Sequence, residues 1–239
     1  MSDFYESTLL REEYKLVTTL QKHNDFKKYV EIFYVDRITG EKTPVLTSPN
    51  GNRYPEHYIV NYRLPVYTRR GQLRQDFHAE ANITLSKAVL SQRNASNAPH
   101  VTFNASFAPY NNHVTKSSIC SGNAWVVAKE NGLWHFIISI GALINQDEYV
   151  SAEGSHFNGD AYEYWKQRGR KPVTNIDWPL DLLEPKLKIK KIDKRTENTN
   201  KPKISVVSKS NSNTPSPKEI KIIAKPTLSS PNIKIIKKN

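Results

Sequence analysis

Residues 107–125 read Phe107-Ala108-Pro109-Tyr110-Asn111-Asn112-His113-Val114-Thr115-Lys116-Ser117-Ser118-Ile119-Cys120-Ser121-Gly122-Asn123-Ala124-Trp125. The stretch is rich in turn-forming Asn, Ser, Gly and Pro, and it holds the single cysteine of the 239-residue chain. A packing cysteine sits on an apolar strand or helix face. Cys120 sits instead in a polar segment, the kind that lies at the surface and carries function more often than packing. One thiol allows no intramolecular disulfide and no cysteine-based metal cage. The competing reading is that Ile119 and Cys120 simply tuck beneath the loop.

Upstream, Leu10, Tyr14 and Val17 recur at helical spacing, with Leu9, Leu16 and Leu20 beside them and charged residues on the other face. Ser2 or Asp3 can cap this helix, which is expected to end near His23-Asn24. Residues 29–35 are β-branched and aromatic and predict a strand. A turn at 39–42 and a segment 43–46 follow. Further strands are expected at 57–64, 77–85 and 100–105, with a turn at 69–72. Downstream, 106–132 reads as loop. Leu133–Ile144 is apolar for twelve residues, long for a strand, and predicts a helix, although its β-branched content keeps the strand reading open. Residues 145–157 read as a polar loop, and Asn158 as the cap of a last helix over 159–167. The expected class is α+β: an N-terminal helix, a four-stranded antiparallel meander, a long loop, then C-terminal helices.

Composition divides the chain near Pro185. Residues 1–185 carry 20 Lys/Arg against 20 Asp/Glu, and residues 186–239 carry 15 against 3, so the whole net charge of +12 belongs to the second segment. All 4 Trp, 12 Tyr and 8 Phe precede residue 186. A Lys-, Ser-, Asn- and Pro-rich segment without aromatics cannot bury enough apolar area to offset its chain entropy. The expectation is a folded domain over 1–185 and a basic disordered tail over 186–239. The N-terminus lacks a secretory pattern, and no run of about 18 apolar residues exists. The expected protein is soluble and cytoplasmic, with no membrane contact.

The segment around Cys120 resembles the ubiquitin-conjugating-enzyme family, in particular its divergent bacterial branch. That family runs helix, four-strand meander, long active-site loop, helices. Its loop carries a His-Pro-Asn triplet, then an Ile-Cys or Val-Cys pair, then a Trp and an apolar helix. Here His113, Ile119-Cys120, Trp125 and Leu133–Ile144 match in that order, Pro99–Phe103 resembles the family's Pro-x-Val-x-Phe strand, and Asn158–Ala161 resembles its Asn-x-x-Ala helix start. The resemblance covers most of residues 1–170. It implies a thioester carried on Cys120, with an activating enzyme, a ubiquitin-like protein and a protein target as partners, and no cofactor. The bacterial branch often accompanies antiphage systems. Two departures stand out: Val114 and Thr115 occupy the places of the triplet's Pro and Asn, and His113 lies closer to Cys120 than in eukaryotic members. The asparagine that stabilises the oxyanion is therefore unassigned, with Asn112, Asn123 and His156 as candidates beside a structural His113. Asp147 and Glu148 could form an acidic gate for an incoming lysine, or simply a solvated helix end.

Three other readings compete. One is an inactive member of the same fold that only binds partners. A second is a Cys-His protease drawing on His113, His135 or His156, but no protease signature surrounds Cys120. The third is polyanion binding by the tail, which would be nonspecific for want of aromatics and Arg. The tail also holds three similar tetrapeptides, with apolar residues at Ile204, Val206 and Val207, at Ile220, Ile222 and Ile223, and at Ile233, Ile235 and Ile236. They resemble short motifs that bind ubiquitin-like proteins by strand addition.

Overall fold

The computed structural model describes residues 3–69, 71–147, 157–167 and 171–182. Residues 186–239 with the three tetrapeptides, together with Glu148 and His156, lie outside the described residues. The architecture is α+β. Helix α1 (Asp3–Lys22) precedes strands β1 (Val30–Val35), β2 (Lys42–Pro44), β3 (His57–Tyr62), β4 (Val66–Tyr67), β5 (Leu73–Arg74) and β6 (Ala79–Thr84). Helix α2 (Lys87–Ser91), β7 (His100–Ala105), α3 (Ser121–Ala128), α4 (Leu133–Asn145) and α5 (Gly159–Gln167) follow.

The main sheet has five antiparallel strands in the order β2-β1-β3-β6-β7, one more than the expected four. The addition is β2, a three-residue edge strand. Asp36 sets it up: its carboxylate accepts from the N–H groups of Ile38, Thr39 and Asn50 and from Asn50 Nδ2. One buried acid thus shapes both the β1–β2 turn and the crossing that brings the chain back to β3. Strands β4 and β5 form a separate hairpin closed over Thr68–Gln72.

Strand alternation gives the sheet one dry face. Val30, Ile32 and Tyr34 of β1 stand opposite Tyr62, Val60 and Tyr58 of β3, which stand opposite Ala79, Ala81 and Ile83 of β6, all buried. Helix α1 presents Leu10, Tyr14, Val17 and Leu20 as its buried stripe. Its polar face is not wholly in water, because Glu6, Glu13 and Gln21 are buried too. Gln21 serves as a surrogate strand partner, accepting from Ile32 N and donating to Val30 O.

Helix α4 is buried at all thirteen positions. Its apolar run is therefore a core helix, and the strand alternative falls. Both ends are capped from far along the chain. At the N-terminus Leu133 N donates to Glu13 Oε2 at 2.9 Å, and Arg93 pairs with the same carboxylate. Burial raises the Glu13 pKa against the opposing pull of Arg93 and the Leu133 N–H. Gly132 enters α4 at φ +94°, where a Cβ would press on Glu13 and Arg93. At the C-terminus Gln146 adopts φ 62°, and Asp147 N closes onto Ala142 O at 2.9 Å.

Mid-helix, Gly141 makes room for Trp178, since a Cβ there would lie 2.8 Å from the indole. Glycine in a helix interior ordinarily costs about 1 kcal/mol against alanine. Here the sign should reverse. Gly141→Ala is expected to destabilise by about 1–3 kcal/mol through overpacking, measured by urea denaturation. A gain in stability would show that the Trp178 ring yields freely.

Candidate active site around Cys120

The loop that follows β7 is an ordered hairpin, not an open excursion. Val114 and Ile119 form an antiparallel bridge. Cys120 N donates to His113 O at 3.0 Å, and Thr115 N donates to Ser118 O at 2.8 Å. Thr115 Oγ1 accepts from Ser117 N and Ser118 N, closing the tip. Ala105 N donates to Lys116 O, which ties the tip to the end of β7. Thr115 stands where the resembled family has its asparagine, and its hydroxyl is engaged in the turn.

Cys120 is the N-cap of α3, with φ −69° and ψ 63°. Its carbonyl accepts from Asn123 N and Ala124 N, so its backbone is bonded on both sides. The expectation that 106–132 is loop throughout is corrected here: 121–128 is helix. Its first turn, Ser-Gly-Asn, is made of residues that favour turns and caps, and its hydrophobic signal is short. Only Ala124, Trp125 and Ala128 are buried. Trp125 anchors it, donating from Nε1 to Asn94 O at 2.7 Å and meeting Phe136 of α4 edge-on. Cys120 forms no disulfide and is 8% exposed, so it sits just under the surface.

Asn111, which sequence reasoning passed over for its neighbour, links this loop to the core. It is fully buried. Its Oδ1 accepts from His113 N at 2.7 Å, and its Nδ2 donates to Leu143 O at 2.8 Å and Ile144 O at 3.3 Å. These are the orphan carbonyls of the α4 C-terminus. A path of hydrogen bonds thus runs from α4 through Asn111 and the His113 backbone to Cys120 N.

The other expected residues fall as follows. His113 is buried and adjoins Cys120 through that backbone bond. Asn112 is buried, and its carbonyl accepts from Phe157 N at 2.9 Å. Asn123 sits in the first turn of α3, and its Nδ2 is buried with no hydrogen-bond partner among the described residues. Asp147 accepts from Trp178 Nε1 at 2.8 Å and from Asn145 Nδ2 at 3.0 Å, so its carboxylate fastens residues 171–182 to the α4 terminus. Burial raises its pKa despite those two bonds. Asn158 caps α5 as expected, accepting from Ala161 N. A groove of about 380 Å³ borders the loop at Ala108, Pro109 and Tyr110, facing Arg69, Asn158 and Asp160. Another, of about 400 Å³, lies over the outer rows of β3, β6 and β7 and does not reach Cys120. No cluster of metal-ligating side chains occurs among the described residues. No described helix is long and apolar enough to cross a membrane.

No family model, no curated protein and no solved structure matches this chain.

Asn111→Ala removes three buried hydrogen bonds and strands their partners. It is expected to cost about 2–4 kcal/mol in urea denaturation and to speed alkylation of Cys120 by loosening its loop. An alkylation rate equal to wild type would mean that Asn111 does not hold the loop. For Asp147 the native pKa lies above the ordinary value of 3.8. The native state therefore holds the proton longer than the unfolded chain, and stability falls as pH rises from below 3.8 through the native pKa. Asp147→Asn lacks this term, so its stability relative to wild type should rise between pH 3.5 and pH 7. A pH-independent difference would count against the burial effect.

Proposed function

We propose that this chain is a conjugating enzyme that carries a ubiquitin-like protein as a thioester on Cys120 and transfers it to an amine of a protein target. The observation that carries the reading is the setting of the only thiol. Cys120 leaves an ordered loop after the last sheet strand and caps α3, with its backbone held on both sides. A helix N-terminus favours negative charge on the sulfur, the nucleophilic form. Thioester exchange is nearly isoenergetic and needs an accessible, fixed thiol more than a strong base. The absence of a dense triad around Cys120 in the sequence fits that requirement. The order of helix, antiparallel sheet, thiol loop and buried helix is also the order of the ubiquitin-conjugating-enzyme family, which supports a fold of that kind. The partners would be an activating enzyme, the ubiquitin-like protein and its target.

A second reading rests on one observation. At 8% exposure the thiol is shielded, as it would be in a scaffold of the same fold that only binds partners. Reaction with an activating enzyme separates the two. With an activating enzyme, a ubiquitin-like protein and ATP, wild type should form an adduct cleaved by reducing agent. Cys120→Ser should give a thiol-resistant ester or no adduct, and Cys120→Ala none. Equal adduct on Cys120→Ala rejects the thioester.

A further inference from the structure

The two edges of the main sheet are built differently. The strand order β2-β1-β3-β6-β7 leaves β2 and β7 outermost. Edge β2 is three residues long, Lys42-Thr43-Pro44, with its lysine and its proline exposed. Short length, Lys and Pro are the devices that keep a sheet edge from pairing with another chain. Edge β7 has none of them. It runs His100-Val101-Thr102-Phe103-Asn104-Ala105, with no charged residue and no proline, and Val101, Thr102 and Phe103 at its centre are strong strand formers.

The groups that this edge offers follow from its neighbours. Ser106 N donates to His78 O, just before β6, and Ala105 N donates the other way, to Lys116 O of the thiol hairpin. Backbone direction alternates along an antiparallel strand. His100, Thr102 and Asn104 therefore face β6, while Val101 and Phe103 face outward with Ala105. Among the described residues no hydrogen bond reaches the outward N–H and C=O groups of Val101 and Phe103.

We propose that β7 is the contact of a homodimer, in which two copies of the chain pair their β7 strands antiparallel about a two-fold axis at Thr102. The register is fixed from both ends. An axis at Phe103 would need Ala105, whose N–H is already given to Lys116 O. An axis at Val101 would set Phe103 against Pro99, which has no N–H to donate. With the axis at Thr102, Val101 of each copy stands opposite Phe103 of the other, and each such pair exchanges both of its N–H···O=C bonds. On the solvent face Thr102 meets Thr102 of the second copy, a favourable cross-strand pair, and His100 meets Asn104. Pairing ends there, because the hairpin closes the edge beside Ala105. The contact is isologous, so one edge serves both copies, and without charge along β7 the strands meet free of like-charge repulsion. A six-residue strand pair covers well under the roughly 800 Å² per partner of a standard interface, so the dimer is reversible and concentration-dependent. It does not depend on the thioester reading of Cys120.

The test uses the full chain at about 0.3 M salt, where repulsion between two chains of net charge +12 is largely screened. In sedimentation equilibrium the mass should climb from 27.4 kDa toward twice that value as concentration rises through the micromolar range. Thr102→Lys sets two ammonium groups face to face at the axis. It should keep the monomer mass at every concentration, with the wild-type melting temperature in dilute solution, since Thr102 is exposed. Cysteine pairing then locates the contact in a Cys120→Ser background. Thr102→Cys should form a disulfide with its own copy under mild oxidation, because a non-hydrogen-bonded pair brings Cα atoms to about 4.5 Å, within disulfide reach. His100→Cys and Asn104→Cys should link to each other in a mixture at least about ten-fold faster than either links to itself. A wild-type chain that stays at the monomer mass leaves the edge to a strand of some other protein and overturns the homodimer. Dimerisation of Thr102→Lys at the wild-type level, or equal self-linking at all three positions, overturns the β7 contact.

Discussion

A helix buried on every side cannot leave its terminal N–H and C=O groups to water. Helix α4 is in that position along its whole length, and each end group left unmade would cost about 1–3 kcal/mol. The rest of the domain is arranged to meet this demand. Glu13, carried on α1, supplies a carboxylate to the N-terminus. A buried carboxylate needs a counter-charge, and Arg93, from the connection between α2 and β7, supplies it. Asn111 and the turn at Gln146 and Asp147 serve the C-terminus. The buried polar residues are thus consequences of burying an apolar helix, not exceptions to an apolar core.

The C-terminal cap reaches the thiol directly. The amide that satisfies Leu143 and Ile144 also receives His113 N, and His113 O receives Cys120 N. The position of Cys120 is therefore referred to the fully buried helix α4 rather than only to the loop that carries it. Helix α3 is tied to the same element through Trp125 and Phe136. A reactive group referred to a packed helix keeps its geometry better than one referred only to a loop.

Wherever burial is one-sided, the period of the sequence revealed the element. The stripe of α1 and the alternation of β1, β3, β6 and β7 came through in this way, whereas α4, buried on every side, was legible from the length of its apolar run. The misses share a different cause. Strand β2 has three residues, too few for alternation to register, and its turn is set by the carboxylate of Asp36. Helix α3 begins Ser121-Gly122-Asn123, which reads as turn, and buries too little to outweigh that. Asn111 and Glu13 carry their value in partners 32 and 120 residues away. A polar residue in isolation does not tell whether it faces water or an orphan amide. Hence Asn112 is a candidate in a loop where Asn111 holds the structure, and Glu13, one of the charged residues beside the apolar stripe of α1, caps α4.

The same logic bears on reactivity. The Cys120 backbone is bonded through both its N–H and its C=O, so the freedom left to the residue is rotation of its side chain among staggered rotamers. Cys120 is 8% exposed, so a large partner meets its sulfur only if that rotation, or the chain around it, uncovers it. One torsion can change while the hydrogen bonds from α4 to His113 stay in place, so backbone hydrogen bonds anchored in the core locate the residue whichever rotamer its side chain adopts.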